Sequence, residues 1–348
     1  MTISKVVLGI CAMEEKIESA PMRVFIKKLM RFEDLNVILF DRNTIFSSPI
    51  EEWPVCNAFL CFYSTGFPLE KAIKYSELRK PFEINNLKAQ RLLKNRKSFN
   101  QILEQNSIPA PRKIYIERGD TATPTRYIEH EDYVEADGVR IYKPFVEKPF
   151  DAEDHNINIY YPMSQGGGCR RLFRKVENNS SSFHPDVNNI RTDGSYIYEE
   201  FVKLDDAKDV KVYSMPINSY AELRKSPSVD GTVERNSSGK ERRIETKLTD
   251  YESRIASIVN REFKQFICGF DILRTNGVSY VCDVNGWSMV KGRHQDAFYE
   301  EASLCLRDML LPDRGVWDQV TASDTTYFSI KQQQPSFHQL SFNHEITN

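Results

Sequence analysis

Short apolar runs separated by amphipathic stretches set the pattern of the first 84 residues. Val6-Val7-Leu8-Gly9-Ile10-Cys11, Val37-Ile38-Leu39-Phe40 and Ala58-Phe59-Leu60-Cys61-Phe62-Tyr63 are unbroken apolar runs, the form taken by parallel strands buried on both faces. Between and after them the spacing lengthens to that of helices, over residues 21–31 and 69–79. This alternation predicts a small doubly wound α/β domain over residues 1–84. It carries no G-x-G-x-x-G, so a dinucleotide role has no support.

From residue 85 the pattern changes. A polar, basic helix is expected over 87–105, closed by Pro109 and Pro111. Period-two runs predict strands over 113–116, 143–148, 157–161, 170–175, 196–201, 209–213 and 220–225. Asp137-Gly138 marks a hairpin turn before the second of these. Gly166-Gly167-Gly168 reads as a flexible loop, and 180–189 and 226–240 as polar loops. A helix is expected over roughly 249–266, then a hairpin, then a helix over about 296–309. The expected division is a domain at 1–84, units at 85–201 and 202–312, and a weakly structured polar tail at 313–348 that contains Gln332-Gln333-Gln334. The fold class is thus α/β followed by α+β.

Composition narrows the function more than the fold. The chain has 348 residues, 40% hydrophobic, with a formal net charge of −2. No global basic field draws it to nucleic acid or to a membrane surface, so any polyanionic ligand must be held by a local cluster. The apolar runs are too short to span a bilayer. Polar Glu14, Glu15 and Lys16 come too early for a secretory leader. Seven scattered cysteines without a C-x-x-C fit free thiols in a reducing, cytoplasmic setting.

The densest chemistry lies in residues 267–293. Asp271 and Asp283-x-Asn285 sit on two strand-like runs flanking Asn276-Gly277, a strong hairpin signal. Two acids and an amide suit a hard cation, Mg²⁺ rather than zinc. Asp283 and Asn285 share a face. A two-residue turn would put Asp271 on the other one, whereas an odd loop, or a bulge at Gly277, would bring all three together. A shared metal site therefore predicts that the Asn276-Gly277 connection is not a simple two-residue turn. The alternative is an ordinary hairpin with acids flanking its turn.

Cations collect upstream. Lys148 ends an apolar strand, where it is either a solvated edge lysine or a point charge for nucleotide phosphate. The glycine triplet could bring backbone N–H groups close to phosphate. It precedes Arg170, Arg171, Arg174 and Lys175, with Arg170, Leu172 and Arg174 expected on one strand face and Arg171, Phe173 and Lys175 on the other. Glu199-Glu200-Phe201 ends a strand where adenine could bond a hinge. Asp209 and Lys211 share a face, and Arg224, Lys225 and Arg243 add charge.

In chain order these pieces resemble the ATP-grasp superfamily. Longer strings, among them LGICAM (8–13), EKPFDAEDHN (147–156), GSYIYEEF (194–201), CGFDILR (268–274) and CDVNG (282–286), resemble the kinase domain of the diphosphoinositol pentakisphosphate kinase family, inositol hexakisphosphate kinases acting at position 1. The similarity runs from about Val6 to Pro312. It implies ATP contacts at Arg96, Lys148, His155, Arg174, Glu199, Glu200, Phe201, Val202, Asp209, Lys211 and Ser226. It implies Mg²⁺ ligands at Asp271, Asp283 and Asn285. Substrate-phosphate contacts are implied at Lys16, Arg174, Lys175, Lys211, Arg224, Ser288 and Lys291, and Arg243 could supply further charge to the substrate. Lys16 matches one lysine of a pair that captures substrate, and Glu15 stands where the other would be. Relatives commonly continue into a phosphatase-like half with Arg-His-Gly. The only Arg-His here is Arg293-His294, followed by Gln295, so the resemblance covers the kinase part.

The activity so implied is Mg²⁺-dependent transfer of the ATP γ-phosphate onto a phosphate of inositol hexakisphosphate or 5-diphosphoinositol pentakisphosphate. The acceptor oxygen is already ionised, so no general base is needed. Lys148, Lys211 and Arg174 would serve catalysis by positioning and by neutralising charge. The cofactors are ATP and Mg²⁺ and the partner is a small inositol polyphosphate. The chain is expected to act as a monomer. The competing readings are an ATP-grasp carboxylate–amine ligase and a non-catalytic inositol-phosphate sensor.

Overall fold

The computed structural model describes residues 5–119 and 124–311; the expected polar tail at 313–348 lies outside them. The first apolar runs form a parallel sheet. Strands β1 (Val6–Cys11), β2 (Leu35–Leu39), β3 (Ala58–Cys61) and β4 (Phe82–Glu83) lie in the order β2-β1-β3-β4. Helices α1 (Glu14–Ile17), α2 (Ala20–Leu29), α3 (Arg42–Phe46) and α4 (Leu69–Arg79) connect them. Alternation of strand and helix has given the doubly wound arrangement that the pattern predicts.

The single helix expected at 87–105 is broken into α5 (Gln90–Leu93) and α6 (Arg96–Gln105). Asn95 breaks it, because its backbone is extended and its side chain accepts from Ser98 N as the cap of α6. Next comes β5 (Lys113–Ile116), then a small antiparallel sheet of β6 (Tyr127–Glu129), β7 (Tyr133–Ala136) and β8 (Val139–Tyr142). Asp137 and Gly138, both at positive φ, turn the second hairpin of that sheet. A larger sheet follows, from β9 (Phe145–Pro149), β10 (Ile157–Tyr160), β11 (Cys169–Val176), β12 (Asn179–His184) and β13 (Tyr196–Glu200), in the order β12-β11-β10-β9-β13-β5. Strand β12 replaces part of the polar loop expected at 180–189. Its serines are poor strand formers, and pairing with β11 overrides that preference.

The last sheet contains β14 (Lys208–Met215), β15 (Asn218–Lys225), β16 (Ile244–Thr246), β17 (Cys268–Thr275) and β18 (Val278–Asn285), in the order β16-β15-β14-β17-β18. Helix α7 (Asp250–Phe263) starts at a capping box between Thr249 and Glu252, worth about 1 kcal/mol. Its Ile255, Val259 and Phe263 pack with Val210, Val212, Phe270 and Ile272 of the sheet. Helix α8 (Gln295–Leu310) leaves this sheet and packs on the first one, where Phe298, Tyr299 and Leu306 join Leu8, Phe25 and Leu29 in one core. Arg307 with Asp34, and Lys28 with Glu300 at 2.8 Å, flank that contact.

Candidate active site

The register of the five-stranded sheet builds a row of charge. Glu222 of β15 stands opposite Lys211 of β14, Lys211 opposite Asp271 of β17, and Asp271 opposite Asp283 of β18. Arg224 lies beside the row, opposite Asp209. The alternate residues, Val210, Val212, Phe270 and Ile272, are the ones buried beneath α7. Period two thus separates chemistry from packing across the whole sheet.

The hairpin corrects one expectation and keeps its consequence. Thr275 pairs with Val278, so Asn276-Gly277 is a simple two-residue turn with φ of 50° and 75°, the left-handed pair of a primed turn. The bulge is at Cys282 instead. Asp271 pairs with Asp283 and Ile272 with Val281, which leaves Cys282 without a partner. One extra residue there returns Asp271, Asp283 and Asn285 to one face.

This face and one face of the six-stranded sheet enclose a cleft of about 460 Å³. From the larger sheet come Val146 and Lys148 of β9, Ile157 and Ile159 of β10, and Glu199 of β13. Lys148 Nζ lies 2.6 Å from Glu199 Oε2 and donates to the Cys282 carbonyl at 2.9 Å, so it ties the two sheets together across the cleft. Burial alone would lower the Lys148 ammonium, but Glu199 outweighs burial and holds it above the usual lysine range. Phe201 and Val202 continue the wall beyond β13, with Leu204 and Leu273 adding apolar surface.

Other cations meet carboxylates at the acidic end. Lys211 Nζ is 3.0 Å from Asp271 Oδ1, and Arg224 lies 3.3 Å from Asp271 Oδ2 while gripping Asp209 at 2.8 and 3.2 Å. Burial pushes the Asp209 carboxyl up despite Arg224. At Asp271, burial is outweighed by Lys211 and Arg224, and its carboxyl stays below the usual range. The Asp283 side chain has neither a hydrogen bond nor an ion pair among the described residues. Asn285 keeps a buried Nδ2 without a partner, and an amide flip would present its oxygen instead. No group of three His, Cys, Asp or Glu side chains among the described residues is arranged to hold a metal. Two carboxylates and one amide on one face fit an ion that keeps waters and takes substrate oxygens, as Mg²⁺ does.

A second cleft of about 560 Å³ shares His155, Arg174, Asp283 and Asn285 with the first. Glu15, Lys16, Thr65 and Lys94 line it, and Trp287 stacks on Phe62 with centroids 5.0 Å apart. Ser288 lies in this cleft, directly over Gly269, where an added Cβ would come within 2.0 Å of the Ser288 hydroxyl. Only glycine lets the segment after β18 approach β17 so closely.

Of the residues singled out in the sequence, Arg96, Lys148, His155, Arg174, Lys175, Glu199, Glu200, Phe201, Val202, Asp209, Lys211, Arg224, Ser226, Asp271, Asp283 and Asn285 line the first cleft. Lys16 and Ser288 line the second. Arg243 and Lys291 line neither: Arg243 is held by Tyr213, Glu222 and Glu241 at 2.6–3.2 Å, and Lys291 is exposed ahead of a short 3₁₀ turn. Arg96 is buried, with its guanidinium donating to the carbonyls of Pro149, Asp151, Ala152 and Asp154. It therefore shapes the loop before His155. The strand faces of β11 depart from strict alternation, since Arg174 and Lys175 both reach the cleft. The ladder with β12 is irregular between Leu172 and Val176.

The glycine triplet is not a phosphate cradle. The three N–H groups donate to Met163 O, Pro162 O and Asn188 Oδ1, and none of the glycines lines either cleft. The apolar wall of the first cleft escaped the sequence reading although its signal was present. Val146 shares a face with Lys148, and Ile159 pairs with Val146. Glu241, which also lines the cleft, had no such signal.

A sequence profile of the diphosphoinositol pentakisphosphate kinase 2 N-terminal domain matches residues 6–95. Three proteins named inositol hexakisphosphate and diphosphoinositol-pentakisphosphate kinase are similar over most of the chain. The Arabidopsis thaliana protein VIP1 is 48% identical over 88% of it, human kinase 2 is 46% identical over 88%, and the Saccharomyces cerevisiae protein is 45% identical over 87%. The chain belongs to the diphosphoinositol pentakisphosphate kinase family, whose N-terminal part it matches. It spans 29%, 24% and 28% of the length of those three relatives. Two solved structures share the fold. The RimK domain ATP-grasp protein of Sphaerobacter thermophilus has a TM-score of 0.54 at 11% identity, covering 87% of this chain and 99% of that one. The ATP-grasp ligase PsnB, solved with a phosphomimetic precursor variant, Mg and ADP, has a TM-score of 0.51 at 12% identity, covering 89% and 100%. The fold of this family member is therefore ATP-grasp.

Proposed function

We propose that the chain synthesises inositol pyrophosphates, transferring the γ-phosphate of ATP onto a phosphate of inositol hexakisphosphate or 5-diphosphoinositol pentakisphosphate, at position 1. The observation that carries this reading is one cleft with two distinct ends. At one end the apolar walls of Val146, Ile157 and Leu273 meet the strand end Glu199–Val202, suited to a base against a hinge. At the other, Arg174, Lys175, Lys211 and Arg224 converge from three strands beside two carboxylates. Each inositol phosphate carries roughly −1.5 to −2 charges near neutral pH, and a bank of cations from separate strands matches such a ligand. An amino acid or peptide acceptor would need fewer.

In this reading Lys148 and His155 hold the nucleotide phosphates, and Ser226 and Asp209 the remainder of the nucleotide. Asp271, Asp283 and Asn285 hold Mg²⁺, which when bound neutralises charge on the transferring phosphate. Lys211 and Arg174 face both phosphate groups and draw the acceptor towards the nucleotide. The acceptor phosphate is ionised, so the chain supplies alignment and positive charge rather than a base. Arg243 joins the acceptor site only if it leaves its present acidic partners, and Lys291 only if the segment after Ser288 moves inward. Seven scattered cysteines without a C-x-x-C support a cytoplasmic setting. No helix among the described residues is long and apolar enough to cross a membrane. We take the active species to be a monomer.

The test is direct. The chain is incubated with ATP, Mg²⁺ and each inositol phosphate, and the products are separated by charge and assigned by NMR. A new diphosphate at position 1 is expected. Release of free phosphate that depends on an added amine would overturn the reading in favour of a ligase.

A further inference from the structure

The acceptor end of the first cleft already contains an anion. Glu241 lines the cleft, and its carboxylate bridges a cation of β11 and one on its own segment. One oxygen pairs with Lys175 of β11, and the other receives Arg243 Nη2 at 3.1 Å and Nε at 3.2 Å. Its side chain is only 16% exposed. The other carboxylates that line the cleft and are largely buried against its cations have work assigned to them: Asp271 in the metal set, Asp209 and Glu199 on the nucleotide side. Glu241 has none.

The segment that carries it is anchored to both sheets. Residues 226–243 leave β15 and return to β16, while Gly231 O accepts from Ser180 N, Thr232 bridges Asn179, and Arg235 grips Asn178 and the Glu177 carbonyl. The carboxylate is therefore held in place by a docked loop rather than sampled from a mobile one.

We propose that Glu241 is a specificity-determining residue, an internal counter-anion standing in one phosphate position of the acceptor site. The proposal rests on the inositol polyphosphate reading above and deepens it. A tethered carboxylate competes at an effective concentration far above that of a free ion, commonly millimolar or more. A ligand with a single phosphate must displace it with one contact and gains little. A ligand with several phosphates engages Arg174, Lys211 and Arg224 at the same time, so the cost of displacing one carboxylate is spread over many contacts. The device raises the number of phosphates a ligand needs rather than the affinity for each. It rejects by built-in competition.

The test compares Glu241→Gln with Glu234→Gln in the full chain. Glutamine keeps the size and hydrogen-bonding capacity of Glu241 without its charge. Glu234 lies on the same loop and also lines the cleft, but its only ion pair among the described residues is with Arg242 at 4.0 Å. Calorimetric titration with inorganic phosphate and with pyrophosphate, in nucleotide-free protein, reads the site without turnover. Glu241→Gln should bind both on the order of tenfold more tightly than the parent chain, and its KM for inositol hexakisphosphate should fall or hold while the KM for ATP is unchanged. Glu234→Gln should match the parent. Unchanged or weaker phosphate binding in Glu241→Gln, with a melting temperature equal to the parent's, would reduce the carboxylate to a structural tie and sink the proposal. An equal gain in Glu234→Gln would sink it too, as a general charge effect. Failure of the parent chain to phosphorylate any inositol phosphate, with the tenfold gain intact, would instead reject the function and leave the internal anion standing.

Discussion

Asp271 and Asp283 stand opposite each other only because Cys282, between Asp283 and Val281, has no partner across the hairpin. The two acids share a position but not an environment. Asp271 is buried against two cations, whereas Asp283 has none within ion-pair distance among the described residues. Asp283→Ala should therefore abolish phosphoryl transfer and leave stability within about 0.5 kcal/mol of the parent. Asp271→Ala strands Lys211, leaves Arg224 with Asp209 alone, and should cost about 3–5 kcal/mol as well as activity. Urea unfolding monitored by fluorescence, run beside the kinase assay, separates the two outcomes. Parent-like turnover in Asp283→Ala would remove that residue from the metal set.

Arg174 and Arg224 make the same contrast among the cations. Arg174 is exposed, and its one polar partner among the described residues is Glu153, at 3.3–3.5 Å. Arg174→Ala should melt with the parent and lose about tenfold or more in kcat/KM. Arg224→Ala leaves Asp209 buried without its guanidinium, and should lower the melting temperature as well as raise the KM for inositol phosphate more than that for ATP. Equal KM effects on both substrates would contradict a substrate role for Arg224.

Lys148 is the tie between the two large sheets, so its loss is felt before any nucleotide arrives. Lys148→Met leaves Glu199 almost fully buried and unpaired, at a cost of about 3 kcal/mol. Adding Glu199→Leu to it should restore at least 1 kcal/mol, since a buried pair replaced whole costs less than one broken. A double variant no more stable than Lys148→Met would show that the pair is not coupled.

His155 gives the fold a pH dependence with a definite sign. Burial, helped by Arg174, holds its pKa below the ordinary 6.5. The unfolded chain then takes up the proton first, so this residue's effect is constant above about pH 7.5 and stability falls as pH drops through 6.5 towards the lower folded value. Melting curves between pH 8 and pH 5.5 should show a smaller acid loss in His155→Gln than in the parent. Parallel curves would mean that His155 is protonated alike in both states.

The parallel first sheet and the cleft-facing acids could be read from the sequence because unbroken apolar runs and strand-interrupting aspartates are strong local signals. Asn276-Gly277 signalled the hairpin, but the demand for a shared face argued wrongly against its two-residue turn. The bulge at Cys282 was not legible, because any residue of β18 could have been the unpaired one and only the demand for a shared face revealed that one existed. The glycine triplet misled for a related reason: its conformation was foreseeable, but the acceptors that occupy its N–H groups, Pro162 O and Asn188 Oδ1 among them, are set by tertiary contacts. Glu241 lies in a polar stretch whose composition says loop. Its value comes from Lys175, which is 66 residues earlier in the chain.

The packing of α8 on the first sheet has a consequence for biosynthesis. Leu8, Phe25 and Leu29 share a core with Phe298, Tyr299 and Leu306, so a ribosome must make about 300 residues before the opening sheet can be sealed. Until then the nascent chain displays the greasy face of that sheet, a ready handle for a chaperone. A fragment shortened ahead of α8 would keep that face permanently, and would be expected to aggregate rather than to fold as a smaller domain.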